Sequence, residues 1–187
     1  MVHLEKLENL ITWVDEIKKK NGSSASSLYI LKDNEVILEH YDGYHSNSPD
    51  SAPITQVSQF NVASARKSYL GLVVSYALYE GKIKSLDDYA IDYFREMDEQ
   101  LLGKTTPGQG WAYRGINVLM MTRLVNRLFK MSFPDLLEER VFSPLGFKET
   151  AWQTKENELL VKQIDDPDSE GSFHLGNYSD GTESNLH

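Results

Sequence analysis

Cysteine is absent from all 187 residues. Disulfides, thiol nucleophiles and cysteine-based metal sites are thereby excluded. No stretch approaches the roughly 18 consecutive apolar residues of a membrane-spanning helix. The amino-terminal "MVHLEKLENLITWVDEIKKK" carries charges within its first few residues and lacks the continuous apolar centre of a secretion signal. A cytoplasmic location is the expectation, or an extracytoplasmic one if a leader was removed. Positive charge is in short supply: 19 Lys and Arg stand against 28 Asp and Glu, a net charge of −9. Such a chain makes a poor partner for nucleic acid or an anionic membrane surface. Metal-ligand spacing is also missing. His3 falls on the first predicted helix, and His40 and His45 flank the end of a predicted hairpin, all three expected at the exposed surface. The acidic "DDPDSEG" does not follow the spacing of a calcium-binding EF-hand loop and is expected to be a solvated loop. No metal and no cofactor are expected.

Forty per cent hydrophobic and 11% aromatic residues are ordinary globular composition, enough for one domain with a core. Val2, Leu4, Leu7, Leu10, Ile11, Val14 and Ile17 recur at helical spacing, predicting a surface helix over 2–20. "NGSSASS" ends it. "SLYILKDNEVILEHYDGY" predicts a β-hairpin, with two apolar runs flanking a turn at Asp33-Asn34. The polar 45–55 stretch predicts a loop. A helix is predicted from Ser64 to about Glu80, ended by Gly81. A second is predicted from Ser85, with Asp88 in a capping-box variant, to about Phe94. Residues 101–110 read as loop and Asn117 to Phe129 as a buried helix. Ser132 caps "SFPDLLEERVF", with Pro134 in the first turn where a missing N–H costs nothing. "SPLGF" (143–147) reads as a turn, and the chain beyond Gln153 as polar and weakly periodic. Helix, hairpin and a helix-rich middle imply an α/β (α+β) fold, a sheet with helices packed on it. Two strands do not make a stable sheet alone.

Ser64-Ala65-Arg66-Lys67 is the sharpest local signal. Ser-x-x-Lys is weak by itself; a serine cap followed by a solvated lysine reads the same. Placement strengthens it. If Ser64 opens a helix, Lys67 stands on the same face one turn later, within reach of the hydroxyl. The positive helix end and partial burial both disfavour a charged amine there. A neutral lysine can accept the serine proton, as nucleophilic catalysis requires. The backbone N–H of Ser64 is placed to donate to an oxyanion. A Ser-His-Asp triad on Ser64 is disfavoured, because its neighbours lack the glycines of a nucleophile elbow.

The wider sequence carries a resemblance. "NVASARKSYLGLVVSYALYEGKIKSLDD" resembles the active-site helix of the serine β-lactamase and penicillin-binding-protein superfamily, in its class C-like, DD-peptidase and esterase branch. "PGQGWAYRGINVLMMTRLVNRLFKMSFPDLLEERVFSPLGFKETAW" resembles a second block of that family, and the two blocks fall in the family's order over about residues 56–152. The resemblance implies an antiparallel sheet flanked by helices plus a helical subdomain. It implies a single domain over 1–187, made of a helix and hairpin (1–60), an active-site helix and helical subdomain (61–152), and a polar segment (153–187) leading to C-terminal strands the chain does not contain. It also implies Ser64 as acylated nucleophile, Lys67 as general base or proton relay, and Tyr113 as second base that protonates the leaving group. The substrates implied are small molecules or peptides: β-lactams, D-Ala-D-Ala-type peptides or esters.

The departures are informative. The family's Tyr-x-Asn reads Tyr113-Arg114-Gly115 here. Asn117 is the candidate substitute for substrate binding, although a shift of two along a helix turns a side chain elsewhere. A Leu-Leu-Thr-His-Thr-Ser-Gly-Leu-like segment is missing where Thr105-Thr106 runs straight into Pro107, so a loop is expected to be missing between 106 and 107. His174-Leu175-Gly176 has the letters of the family's third motif but follows the Pro-Leu-Gly turn too closely. An incomplete chain is therefore the expectation. The rival readings are a non-catalytic member that keeps the fold as a binding module, and an ordinary α/β domain with a chance motif.

Overall fold

The computed structural model describes residues 4–94, 116–173 and 175. Two compact units divide the chain. One takes 1–61 and 155–175; the other takes 62–154 and 176–187. The return of 155–175 to the first unit was not expected.

In the first unit, α1 (Leu4–Lys20) packs against both strands of a hairpin. Its half-buried residues Leu7, Ile11, Val14 and Lys18 recur at helical spacing. β1 (Ala25–Lys32) and β2 (Glu35–Gly43) pair antiparallel, from Ala25 opposite Gly43 to Lys32 opposite Glu35. The turn is where the sequence put it. Asp33 and Asn34 both take positive φ, 53° and 63°, the pattern of the I′ turn that matches strand twist. Polar contacts dock the helix. Asp15 Oδ1 lies 3.0 Å from His40 Nε2 and accepts from Ser26 Oγ at 3.2 Å. Lys18 pairs with Asp42. His40 is therefore half-buried and bonded, not the exposed surface residue expected, and His45 is likewise half-buried, 2.9 Å from Ser58 Oγ. His3 lies outside the described residues. The 155–175 segment is laced to the loop after β2. Gln59 N–H donates to Leu159 O at 2.7 Å, Val161 N–H to Gln59 O at 2.8 Å, and Lys162 N–H to His45 O at 2.8 Å. Such backbone pairs are what keep a polar segment in place without a core of its own.

The second unit is helical. A 3₁₀ turn (Ala63–Arg66) leads into α2 (Lys67–Tyr79), which buries Leu70, Val73, Val74 and Ala77 along one stripe. Gly81 ends α2 as expected. At φ +68° it lets Gly81 N–H donate to Leu78 O and Lys82 N–H to Ala77 O, so both orphan carbonyls are satisfied. The helix predicted from Ser85 is not there. Asp88 Oδ2 instead accepts the N–H groups of Lys84 and Ser85, at 3.2 and 3.1 Å, and the Tyr93 hydroxyl. That carboxylate closes the segment as a turn, and α3 is only Ala90–Tyr93.

α4 (Ile116–Phe129) crosses α2, and both meet α5 (Phe133–Leu137). Ser132 caps α5 as expected, accepting from Asp135 N–H at 3.2 Å. The helix then widens into a π segment (Glu138–Phe142) and resumes as α6 (Ser143–Leu145). The turn expected over 143–147 is thus confined to its end, at Gly146. The core gathers Leu70, Val73, Leu124, Val125, Phe133, Leu136, Leu137 and Phe142. Each such side chain contributes about 1.5–3 kcal/mol on burial.

Candidate active site

Ser64 lies in the second position of the 3₁₀ turn and Lys67 begins α2. The sequence predicted an α-helical start at Ser64. The structure corrects this, and the correction tightens the pair. A 3₁₀ helix has 3.0 residues per turn, so positions three apart eclipse rather than splay. Lys67 Nζ donates to Ser64 Oγ at 2.8 Å. Ser64 is exposed and Lys67 half-buried. The contact between hydroxyl and amine is itself exposed.

The residue before the serine is strained. Ala63 has φ +43°, in the left-handed region that L-residues other than glycine seldom enter. The conformation costs about 1–2 kcal/mol. It lies at the point where the chain enters the 3₁₀ turn. Ala65 N–H donates to Val62 O at 2.9 Å and closes the turn from its amino side.

Behind the turn lies a group of rings. The Arg66 guanidinium sits 5.7 Å from the centre of the Trp152 ring. Trp152 meets Phe133 edge-on, with ring centres 5.6 Å apart at 86°. One turn into α2, Tyr69 meets Phe142 edge-on at 5.5 Å. Phe142 in turn stacks on Phe147. Sequence reasoning placed Ser64 and Lys67 but missed Ala63, Arg66 and Trp152 as parts of this arrangement.

Asn117 stands exposed in the first turn of α4. Tyr113 and Gly115 lie outside the described residues, as do Thr106, Pro107, His174 and Gly176. Among the described residues no group of three His, Asp or Glu side chains is placed to hold a metal ion. None of their helices is long and apolar enough to cross a membrane.

Comparison with known proteins now bears on this site. Residues 96–163 match the family described as Beta-lactamase. A class C β-lactamase superposes with a TM-score of 0.73 over 91% of this chain and 58% of its own, at 16% identity. The fold is β-lactamase-like, and part of the chain matches the Beta-lactamase family.

The likeness in fold extends beyond β-lactamases. A D-alanine carboxypeptidase from Burkholderia cenocepacia superposes with a TM-score of 0.72 over 94% of this chain and 58% of its own, at 17% identity. A hydrolase with promiscuous acyltransferase activity gives 0.66 over 84% of this chain and 56% of its own, at 16% identity. Identities this low establish the shared β-lactamase-like fold. In sequence, the chain is 32% identical over 205 residues to an uncharacterized protein of Alkalihalophilus pseudofirmus, covering 97% of this chain and 60% of that protein. The chain thus spans about 60% of the length of these relatives.

Proposed function

We propose that this chain carries the nucleophile of a serine hydrolase that works through an acyl-enzyme. The observation that carries the reading is the 2.8 Å contact between Lys67 Nζ and the exposed Ser64 Oγ. Ser64 Oγ attacks the substrate carbonyl carbon while Lys67, as general base, takes up its proton. The tetrahedral intermediate collapses, the bond to the leaving group breaks, and the leaving group takes a proton from the Tyr113 hydroxyl. Water then attacks the Ser64 ester and gives a proton to the Tyr113 phenolate, and the acyl–Oγ bond breaks as Ser64 Oγ takes its proton back from Lys67, releasing the acid. Tyr113 and Asn117 are assigned by resemblance, as second base and as substrate-binding group.

The substrate class proposed is a β-lactam, a D-Ala-D-Ala-type peptide or an ester. Glycine at 115, where the family has the asparagine that helps hold a substrate amide, favours esters. The same glycine supports a second reading, a non-catalytic member that binds without turning over. A fluorescent penicillin and a fluorophosphonate, each applied to wild type and to Ser64→Ala, separate the two. Labelling of wild type by either probe, lost in Ser64→Ala, supports the hydrolase. Absence of labelling by both supports the binding module.

A further inference from the structure

We propose that Arg66 and Trp152 are positioning residues, which hold the 3₁₀ turn so that Ser64 and Lys67 stay in register. The inference rests on the serine-hydrolase reading and deepens it.

Three residues per turn send successive side chains about 120° apart. Ser64 and Lys67 share one face, so Arg66 must leave on another. There its planar guanidinium lies over the Trp152 indole, 5.7 Å from the ring centre. Trp152 abuts Phe133, which is 3% exposed and part of the core. A continuous line of packed groups thus joins the back of the turn to the rigid part of the unit. On the other side of the serine, Ala63 sits at φ +43°. Strained backbone persists only where its surroundings over-determine it. Tyr69 against Phe142 anchors the helix that follows, one turn further on. Arg66 on Trp152 is an anchor within the turn itself, one residue from Lys67.

The chemistry of the residue at 66 is specific. A guanidinium stacks flat on an indole, whereas a lysine ammonium offers only a point charge. Arg66 meets the Trp152 ring as a cation, and its broad plane offers a contact that a lysine lacks. If the stack is lost, the turn is free to relax its strain, and the hydroxyl and amine separate. A misplacement of about 1 Å at a reacting group costs on the order of 10²-fold in rate.

The test measures acylation of the full chain by an activated aryl ester, together with melting temperature, for five variants. Arg66→Met keeps the apolar stem and loses the cation. Arg66→Lys keeps the charge and loses the plane. Trp152→Leu removes the ring and Trp152→Phe restores one. Lys82→Ala removes a comparable stack, Lys82 over Phe129 at 5.1 Å, elsewhere in the same unit. Arg66→Met, Arg66→Lys and Trp152→Leu are expected to slow acylation about ten-fold or more with KM within about two-fold. Trp152→Phe is expected within about three-fold of wild type, and Lys82→Ala unchanged. Should Trp152→Leu fail to fold, Arg66→Lys decides by the same criterion. Wild-type rates in the Arg66 variants overturn the inference. So does a loss that follows melting temperature across all five variants, Lys82→Ala included. A wild-type chain that is not acylated at all overturns the hydrolase reading and this inference together, and so is distinguishable from the other two outcomes.

Discussion

Lys67 donates to Ser64 across a single turn of 3₁₀ helix, at 2.8 Å, with the serine exposed and the lysine half-buried. The 3₁₀ turn brings the two positions to one face, where the lysine side chain reaches the hydroxyl. Lys67→Ala is therefore expected to lower the acylation rate about 10²-fold or more while the helical content by circular dichroism is retained. Lys67→Arg is expected not to rescue, because a guanidinium does not release its proton. A Lys67→Ala chain that acylates normally would make the lysine a structural residue.

Ala63 supplies a second prediction. At φ +43°, a β-branched side chain is disfavoured more strongly than alanine. Ala63→Val is expected to destabilise by about 2 kcal/mol, read from chemical denaturation. Ala63→Gly relieves the strain but frees the unfolded chain, so stability should stay within about 1 kcal/mol of wild type. Its acylation should nonetheless slow, since the turn is no longer forced into one shape. Equal rates in wild type and Ala63→Gly would show that the strained entry has no bearing on the site.

Asp15 gives a pH dependence. The hydrogen bond from His40 holds its carboxyl below the usual carboxylate range, with Ser26 and the Lys18 charge acting the same way against partial desolvation. A carboxyl lowered in the folded state contributes stability above its unfolded value, about 3.9 for an unperturbed aspartate. That contribution is lost as pH falls through the lower folded value. Asp15→Asn should therefore flatten part of the acid limb of the stability curve below about pH 4. Denaturant midpoints at pH 7, 4 and 3 check this, with Trp13 fluorescence reporting on α1. An unchanged acid limb would mean that α1 docks without help from the carboxylate.

Gly43 tests the first unit. Its φ is +105°, and an added Cβ would stand 2.1 Å from Ser24 O and 2.8 Å from Ala25 Cα. Both neighbours are backbone, so neither can move aside cheaply. Gly43→Ala is expected to cost about 3 kcal/mol or more, measured as loss of β-hairpin signal and of the Trp13 environment. A variant with wild-type stability would contradict the close approach of β2 to the residues before β1.

Much of this was legible in the sequence, for local reasons. Asp33-Asn34 is a pair that tolerates positive φ, so the hairpin turn followed from two letters, whereas the shift of register between Ile30 and Leu31 did not. Gly81 marked the end of α2, and Ser132 with Pro134 marked the start of α5. The contact between Ser64 and Lys67 was legible because a spacing of three brings two side chains to one face in either kind of helix. What was not legible depended on distant partners or on an unusual backbone. Nothing about an alanine announces φ +43°. Arg66 drew no reading from its neighbours in sequence, because its partner Trp152 lies far along the chain. Ser85 and Asp88 had the letters of a capping box. The Tyr93 hydroxyl, by holding Asp88 over the amides of Lys84 and Ser85, joins a turn where a helix was expected. His40 and His45 looked like surface residues because their partners, Asp15 and Ser58, come from other segments.

The central claim is that Ser64 is a nucleophile made reactive by Lys67. It is tested most directly by peptide mapping after incubation of wild type, Lys67→Ala and Ser64→Ala with a fluorophosphonate. One adduct on the peptide that carries Ser64, strongly reduced in Lys67→Ala and absent in Ser64→Ala, is the predicted result. An unmodified Ser64 peptide in the wild-type chain, or an adduct of equal yield in Lys67→Ala, would contradict it.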